Sequence, residues 1–480
     1  MASRFAWLLI ALFASASGAR AAPPPSCLPP DPCSLPARPG EASVVFVGDT
    51  GYGLGGSSEW GTHAQGDVAA RLETLCPRPD LVFFLGDNIY WRGSPDLFAP
   101  RFDTVYQRLL GPEGGRIRAA LGNHDVKGCR LSDRPAAPAP LTCADALLDL
   151  VREDDVQADA AATGAAPAVG REVDASVLEA ARSVDGRDCP PAFDSAYEQS
   201  QEVGNECFAS AALRHTPFGY GLRGGNPLRY YTVDWPPATP GPAAGPPPPR
   251  VRVLVADSNT LRLSSEPHDA TPLAAEAARE DRLQVLWIEN QLRTAPAGAW
   301  TLVAMHHPLY TPRGCAFKLL GRCLGGHGDY PSLRDQLHPA FGLTGPGAGE
   351  GVAPDLVFAA HNHLYARSRA LDATGYAARE PGGIRHFVTG GGGAPLYRLQ
   401  PLHERYAAGG SFHHFVYLRM RADDAFFWAI DERGNVRDAG CFRRGESRDG
   451  CIARGATYTS AELTCEPAPL DALTCPTTAP

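Results

Sequence analysis

The stretch LVFFLGDNIY, residues 81–90, decides how the rest of the chain is interpreted. Its first five residues are all apolar and are bounded by Gly86, which is typical of a fully buried strand. The end of that strand presents the carboxyl group of Asp87 and, three residues later, the phenol of Tyr90. Other apolar runs of the chain also end in Asp, Asn or His, and this recurrence is the main indication of function.

The pattern of an apolar strand followed by a polar side chain is found along most of the chain. Predicted strands at 43–47, 117–121, 251–256, 301–305 and 355–359 are followed by Asp49, Asn123, Asp257, His306 and the pair His361 and His363. Helical spacing occurs between them at 64–75, 97–110, 280–292 and 332–338. Alternating strands and helices predict a layered α/β protein, in which ligands bind beyond the carboxyl ends of the strands.

The polar groups at these strand ends predict a metal centre. Two carboxylates and several imidazoles gathered in a buried place cost several kcal/mol per ion unless a cation compensates their charge. Oxygen and imidazole ligands suit iron, manganese or zinc, and more than four ligands indicate two metals that share one carboxylate. No Cys-x-x-Cys pair occurs in the chain, so a thiolate metal site is not expected.

The N-terminus has the three-part pattern of a secretory signal peptide. Arg4 precedes an apolar run at residues 5–13, and small residues surround Arg20. The run is too short for a permanent membrane anchor, and a buried N-terminal helix is the alternative interpretation. We therefore expect no transmembrane anchor and export to the periplasm or the extracellular space.

The predicted organisation has four parts. These are a signal peptide at 1–21, a Pro-rich linker at 22–40, a catalytic domain at 41–432 with an insertion near 127–214, and a Cys- and Pro-rich tail at 433–480. Loss of Arg4 and Arg20 with the signal peptide would take the formal charge from −9 to −11. This charge disfavours nonspecific binding to nucleic acid or to anionic membranes.

The chain has 13 cysteines, all after the predicted signal peptide, and export to an oxidising compartment favours disulfides. Neighbouring cysteines would pair as Cys27 with Cys33, Cys129 with Cys143, Cys189 with Cys207, Cys315 with Cys323, Cys441 with Cys451, and Cys465 with Cys475. Cys76 would then remain unpaired.

Five motifs occur in the order in which they occur in the calcineurin-like metallophosphoesterases. They are GDTG at 48–51, GDNIY at 86–90, GNHD at 122–125, VAMH at 303–306 and AHNH at 360–363. Within that superfamily the chain is most similar to the small purple acid phosphatases of the mammalian, tartrate-resistant type, because Tyr90 follows Asp87 and Gly51 stands where many relatives have a metal-binding His. The resemblance implies a four-layer α-β-β-α sandwich of two mixed β-sheets flanked by helices.

The resemblance also implies which residues hold two metal ions. A ferric ion would be bound by Asp49, Asp87, Tyr90 as a tyrosinate, and His363. A second ion, Fe(II), Zn(II) or Mn(II), would be bound by Asp87, Asn123, His306 and His361. A phenol has an ordinary pKa of about 10, so it ionises near neutral pH only beside a strong Lewis acid, which agrees with a ferric site.

The implied reaction is attack of a metal-bound hydroxide on the phosphorus of a small phosphate monoester. Asp87 and His124 are the implied catalytic residues, and His124 would protonate the leaving alkoxide. Asn123, His124 and His327 would bind the phosphate of the substrate.

Several alternatives remain open at this level. His307 can exchange roles with His306, although alternation along a strand would direct its side chain away. Ala360 replaces a usual glycine of the family, which disturbs the site only if that position needs a positive φ. A phosphodiesterase or nucleotide hydrolase on the same fold, and a noncatalytic surface protein that binds through it, are the alternative functions.

Overall fold

The computed structural model describes residues 40–445 apart from 55, 59–60, 76–78, 91–96, 98, 111–116, 126–221, 224–225, 228–229, 237–246, 264–283, 313, 316, 320–321, 325–326, 345–351 and 379–381. The predicted signal peptide, most of the linker, the predicted insertion and the end of the tail lie outside the described residues. None of the described helices combines the length and the apolar character that a membrane crossing requires.

The described strands are numbered here in chain order. They are β1 (Ala42–Val47), β2 (Gly56–Ser58), β3 (Gly61–His63), β4 (Leu81–Leu85), β5 (Ile117–Ala120), β6 (Leu222–Arg223), β7 (Asn226–Pro227), β8 (Tyr231–Trp235), β9 (Val251–Val255), β10 (Trp300–Ala304), β11 (Gly314–Cys315), β12 (Phe317–Leu319), β13 (Arg322–Leu324), β14 (Leu356–Ala359), β15 (Tyr365–Ser368), β16 (Arg385–Thr389), β17 (Arg398–Leu399), β18 (Tyr406–Gly410), β19 (His414–Met420), β20 (Asp424–Asp431) and β21 (Val436–Arg443).

The described helices are fewer and mostly short. They are α1 (Gln65–Glu73), a π-helical turn at Ala99–Asp103, α2 (Gln107–Leu110), α3 (Ser258–Leu263), α4 at residues 284–293 and α5 (Pro331–Ala340). The single helix predicted at 97–110 is replaced by the π-helical turn and α2. Pro100 lies in that stretch and has no backbone N–H to donate within a regular α-helix.

Two mixed β-sheets form the centre of the fold. The first has the order β21-β20-β19-β1-β4-β5, and the second has the order β18-β15-β16-β14-β10-β9-β8. Within them, β1-β4-β5 and β9-β10-β14-β16 run parallel, and the remaining pairs are antiparallel. The carboxyl ends of the parallel strands in each sheet therefore lie at one edge, where ligands are expected to bind.

The two sheets pack face to face through aromatic side chains. Phe46 of the first sheet stacks on Phe358 of the second with 3.8 Å between ring centroids, and Phe387 meets Phe427 edge to face at 5.3 Å. Residues from both sheets belong to this one core. The continuous apolar runs of the sequence are therefore strands that are buried on both faces.

Helices cover the outer face of each sheet. Val68 and Leu72 of α1 pack with the first sheet, whereas Leu261, Trp287 and Leu337 of α3, α4 and α5 pack against the second. Along β9, successive residues alternate between the core shared by the sheets and the core under these helices. The arrangement is two mixed sheets flanked by helices, which confirms the predicted fold class.

The C-terminal boundary differs from the prediction. Strand β21 spans Val436–Arg443 and is the edge strand of the first sheet, so the sheet continues past residue 432, where the catalytic domain was expected to end. Most positions of β21 are only partly buried, and such an edge strand lacks the apolar run that marks the central strands. Cys441 in this strand is disulfide-bonded, and its pairing with Cys451 stays a prediction because Cys451 lies outside the described residues.

Candidate metal centre

All seven residues predicted as metal ligands lie together at the edge where the parallel strands of the two sheets end. The residues are Asp49, Asp87, Tyr90, Asn123, His306, His361 and His363, and they follow β1, β4, β5, β10 and β14. Their side chains form two groups that meet at Asp49 and Asp87.

The first group contains the phenol of Tyr90. Its hydroxyl donates to Asp49 Oδ1 over 3.0 Å and lies 2.9 Å from His363 Nε2. His363 Nε2 is also 3.4 Å from Asp49 Oδ1. A carboxylate, a phenol and an imidazole therefore converge on one small volume, in the combination expected for the ferric site.

The second group is centred on His306. Its Nε2 lies 3.1 Å from Asn123 Oδ1, 3.1 Å from His361 Nδ1 and 3.5 Å from Asp87 Oδ1. The two groups are continuous, because ligand atoms of Asp49, Asp87 and His306 all lie within 4.8 Å of one another. Asp87 therefore occupies the place between the groups that a bridging carboxylate requires.

The backbone at this site is held in an unusual conformation. Asp49, Asp87 and His361 have φ values of 59°, 51° and 65°, and among the described residues they are the non-glycine residues with positive φ. Such conformations typically cost about 1–3 kcal/mol each and occur where a function depends on them. All three are predicted metal ligands.

Close packing of small residues determines where these carboxylates lie. A Cβ atom on Gly122 would lie 2.0 Å from the backbone nitrogen of Asp87 and 2.3 Å from its Oδ1. A Cβ atom on Gly51 would lie 2.5 Å from the backbone of Asn88, so a histidine does not fit there. The packing around Gly51 therefore excludes the His that many relatives have at this position.

The methyl group of Ala360 is accommodated without strain. The positive φ falls on His361 and not on Ala360. The methyl lies opposite Gly48, where a Cβ atom would come within 2.3 Å of it. The side chain that replaces the usual glycine therefore uses space that Gly48 leaves free.

Hydrogen bonds orient the imidazoles. His306 Nδ1 donates to the carbonyl oxygen of Leu85, and His363 Nδ1 donates to that of Pro395, each over 2.8 Å. Because a carbonyl oxygen only accepts, each Nδ1 carries a proton, and each Nε2 is the nitrogen that faces the site. His361 is turned the other way, with Nδ1 facing His306 and Nε2 2.8 Å from the hydroxyl of Tyr330.

The electrostatics of the first group fit a bound cation. Asp49 is fully buried, and its Oδ2 has no hydrogen-bond partner in the part of the chain that the structure describes. Burial and the carboxylates of Asp49 and Asp87 raise the pKa of Tyr90 well above its ordinary value. An unpaired buried carboxylate oxygen beside a phenol that resists ionisation is the donor set that a strongly Lewis-acidic metal would complete.

The second group has the protonation states of metal ligands. Burial and the neighbouring His307 lower the pKa of His361 well below its ordinary value, so its imidazole is neutral. Burial opposes ionisation of Asp87, but His306 and His124 outweigh it and lower the pKa of Asp87. A neutral imidazole and an ionised carboxylate are the forms that bind metals.

The predicted catalytic and substrate-binding residues lie beside these groups. The backbone N–H of His124 donates to Asp87 Oδ1 over 2.8 Å, and its half-buried ring lies 4.6 Å from the ring of Tyr90. The ring of His327 lies 3.9 Å from that of His361. Burial and the neighbouring His363 lower the pKa of His327 to about 4, so it is a neutral hydrogen-bonding group.

Strand alternation predicted that the side chain of His307 points away from His306, but the two rings lie only 4.9 Å apart. Strand β10 ends at Ala304, so alternation along a strand no longer determines the direction of residues 306 and 307. The ring of His307 lies 4.3 Å from that of His361, and ligand atoms of His306, His307 and His361 form a second candidate metal-binding group. His307 Nδ1 lies 3.0 Å from Ser258 Oγ, which also accepts from the backbone N–H of His307.

Sequence reasoning missed further residues around the site. The ring of Tyr397 stacks on that of His363, with 4.4 Å between ring centroids. Asp125 is buried and accepts hydrogen bonds from Gly122, Asn88 and Ile89, so it ties together the loops after β4 and β5. Burial and Asp87 raise the pKa of Asp125. Only the position of Asp125 inside the GNHD motif could have indicated its importance.

The family model described as calcineurin-like phosphoesterase matches residues 42–155 of the chain. No curated protein matches the chain. A purple acid phosphatase isolated from yellow lupin (Lupinus luteus) seeds is a similar solved structure, with 14% identity and a TM-score of 0.45 over 93% of this chain and 58% of the lupin chain. This chain therefore spans 58% of the length of that lupin enzyme.

Two further solved structures resemble the chain to a similar degree. GAP50, the anchor in the inner membrane complex of Plasmodium, has 12% identity and a TM-score of 0.45 over 85% of this chain and 90% of its own. A dimetal phosphatase from Danio rerio has 11% identity and a TM-score of 0.40 over 85% of this chain and 100% of its own.

The family match covers the segment that carries the first three motifs, with Asp49, Asp87, Tyr90, Asn123 and His124. It agrees with the resemblance inferred from those motifs, and over residues 42–155 the chain is similar to the calcineurin-like phosphoesterases.

Proposed function

We propose that the chain is an exported dinuclear-metal phosphatase that hydrolyses small phosphate monoesters in the manner of the purple acid phosphatases. The convergence of Tyr90, Asp49 and His363 is the observation that carries this proposal. In this group a phenol lies beside a buried carboxylate whose second oxygen has no hydrogen-bond partner among the described residues. A ferric ion bound there would stabilise the phenolate and neutralise the carboxylate.

The predicted ligands would divide into two sets. Asp49, Asp87, Tyr90 and His363 would hold the ferric ion. Asp87, Asn123, His306 and His361 would hold Fe(II), Zn(II) or Mn(II). When bound, such a pair of ions lowers the pKa of the attacking water and stabilises the charge on the transferred phosphoryl group.

The residues of the chain itself orient the substrate and move one proton. The hydrogen bond from the backbone of His124 fixes the carboxylate of Asp87. The same loop holds the half-buried ring of His124 and the amide of Asn123 at the site, where they would contact the phosphate oxygens. His124 would then give its ring proton to the leaving alkoxide oxygen, and the neutral His327 would donate a hydrogen bond to the phosphate.

Tyr90→Phe tests the purple-phosphatase part of the proposal. The purified protein is expected to contain iron and to have a visible absorption band, because a ferric ion bound by a phenolate absorbs in the visible. Removal of the phenol oxygen should abolish or shift that band and change the metal preference. Protein without iron, or a band that Tyr90→Phe leaves unchanged, would contradict this assignment while leaving a different metallophosphoesterase intact.

The substrate class is tested by the rates on an aryl phosphate and on the corresponding bis-aryl ester. A monoesterase hydrolyses the first much faster. Faster hydrolysis of the bis-ester would indicate a phosphodiesterase or nucleotide hydrolase instead. A metal-replete protein that hydrolyses no phosphoester in a broad panel, and in which His124→Ala changes nothing, would be a noncatalytic binding protein.

Export is the remaining part of the proposal and rests on the sequence of residues 1–21. N-terminal sequencing of the protein recovered from its native host is expected to show cleavage near residue 21. Recovery of the uncleaved chain from the cytoplasm would contradict it.

A further inference from the structure

One of the three predicted imidazole ligands is held differently from the other two. The ring nitrogens of His306 and His363 that face away from the site donate to backbone carbonyl oxygens. The corresponding nitrogen of His361, Nε2, lies 2.8 Å from the hydroxyl of Tyr330. The orientation of His361 thus depends on a side chain that comes from another part of the chain.

We propose that Tyr330 is a positioning residue that fixes the ring of His361 and thereby determines the affinity of the second metal site. This inference rests on the proposed function. In the tautomer that binds a metal through Nδ1, His361 Nε2–H would donate to the phenol oxygen, 2.8 Å away. Nδ1 is the nitrogen that lies 3.1 Å from His306 Nε2 and faces the predicted metal position.

The ring–ring contacts of His361 do not by themselves select one orientation of its imidazole. The rings of His307 and His327 lie 4.3 Å and 3.9 Å from it, and contacts to ring faces are similar for both flips of an imidazole. A 180° flip about the Cβ–Cγ bond would replace Nδ1 by a carbon atom. The hydrogen bond to Tyr330 distinguishes the two flips, since only one of them places Nε2 at the phenol.

The backbone that carries Tyr330 is well anchored. Tyr330 immediately precedes Pro331, the first residue of α5, whose ring restricts the backbone at the helix start. The adjacent Asp329 accepts from the backbone N–H of Thr311 over 2.9 Å. Its other oxygen lies 3.0 Å from both Arg334 and Arg405. Asp329 therefore joins three segments of the chain and holds the phenol in place.

The structure offers a matched control for the loss of this hydroxyl. Tyr310 Oη lies 3.2 Å from His338 Nε2, and His338 belongs to the same helix α5. This second tyrosine–histidine pair is buried. Within the described part of the chain, neither residue has a contact with a predicted metal ligand. Tyr310→Phe therefore removes an equivalent oxygen atom outside the metal centre.

The test is a titration of metal-free protein with Zn²⁺ in competition with a chromophoric chelator. Tyr330→Phe is expected to weaken binding of one of two Zn²⁺ ions by about 10–100-fold, the usual effect of removing the partner of a metal-binding histidine. Binding of the other ion should stay unchanged. Tyr310→Phe should bind both ions like the wild type.

A second pair of variants shows whether Tyr330 acts through His361. In a His361→Ala background, Tyr330→Phe should cause no further loss of Zn²⁺ affinity, because its partner is already gone. Wild-type Zn²⁺ affinity in Tyr330→Phe would contradict the positioning role of Tyr330. The same loss of Zn²⁺ affinity from Tyr330→Phe in the wild type and in the His361→Ala background would also contradict it. Neither result would contradict the proposed metal centre. A wild-type chain that binds no Zn²⁺ would instead contradict the proposed metal centre.

Discussion

Three predicted ligands are residues that the fold holds in unfavourable states. Asp49, Asp87 and His361 have left-handed backbone conformations, and Asp49 Oδ2 is buried without a hydrogen-bond partner among the described residues. An unsatisfied buried polar group costs about 1–3 kcal/mol, more when it is charged. A cation bound between these groups would remove part of that cost, so we expect metal binding to stabilise the folded chain.

His124→Ala separates the role of a proton donor from that of a structural residue. An alkoxide leaving group needs a proton, whereas a nitrophenolate leaves without one. The variant should therefore lose about 10²–10⁴-fold in kcat on an alkyl phosphate and much less on 4-nitrophenyl phosphate. The measurement is kcat for both substrates in the wild type and in the variant.

An equal loss of rate on both substrates would contradict proton donation by His124. It would show instead that the side chain supports the site, for example through its contact with the ring of Tyr90. Far-ultraviolet circular dichroism and the Zn²⁺ content of the variant are the controls, because both should match the wild type.

The loops that follow the strands fix one another's positions. Asp87 lies in the loop after β4, and Gly122 of the neighbouring loop packs directly against it. Asp125 connects the same two loops through hydrogen bonds to Ile89 and Gly122. The position of the predicted bridging carboxylate is thus determined by two loops together.

Gly122→Ala tests this dependence. The added methyl would lie 2.3 Å from Asp87 Oδ1, so the carboxylate or the loop must move. We expect kcat/KM to fall by about 100-fold or more, since displacements of about 1 Å have such effects at catalytic sites. Hydrolysis of 4-nitrophenyl phosphate by both proteins is the measurement.

Gly328→Ala is the matched control, because a Cβ atom there has nothing within 4 Å. It introduces the same methyl group next to the predicted substrate-binding residue His327 and should retain wild-type activity. Wild-type activity in Gly122→Ala would show that the loop around Asp87 adapts easily and would contradict the account of its packing.

The elements that the sequence predicted well are those with a local signal. Strands β1, β4, β9, β10 and β14 are buried along their whole length, and each consists mainly of apolar residues. The polar residues at the ends of these strands could be predicted from the sequence because they follow such a stretch closely. The half-exposed edge strand β21 has no comparable run and was assigned to the tail.

The residues that were missed act across long distances in the chain. The hydroxyl of Tyr330 contacts the ring of His361, and the ring of Tyr397 stacks on that of His363. No local sequence pattern predicts either contact. His307 was assigned by strand alternation, which does not extend beyond the end of β10. These contacts depend on how loops meet in three dimensions, and local patterns in a single sequence do not predict them.

At the scale of the whole molecule, the predicted metal centre depends on the alignment of the two sheets. Asp49, Asp87 and Asn123 follow strands of the first sheet, and His306 and His361 follow strands of the second. The aromatic interface between the sheets therefore keeps the two halves of the predicted ligand set together.

Phe46→Ala tests the contribution of that interface to stability. Phe46 is fully buried and packs on Phe83 at 5.3 Å and on Phe358 at 3.8 Å. Loss of such a ring is expected to lower the free energy of unfolding by about 3–5 kcal/mol. Urea unfolding followed by tryptophan fluorescence measures the change.

Val352→Ala provides the comparison, because Val352 is 44% exposed and its loss should change the free energy of unfolding by no more than about 0.5 kcal/mol. Similar values for Phe46→Ala and Val352→Ala would mean that the contact between the sheets contributes little to stability.

The most direct test of the central claim is the number of metal ions bound per chain in samples whose phosphatase activity is measured in parallel. The metal-free protein should be inactive, and activity on 4-nitrophenyl phosphate should rise with added ions and saturate at two per chain. Asp87→Asn should bind fewer ions and stay inactive at every metal concentration. Full activity in the metal-free protein, or no metal binding by the wild type, would contradict the account.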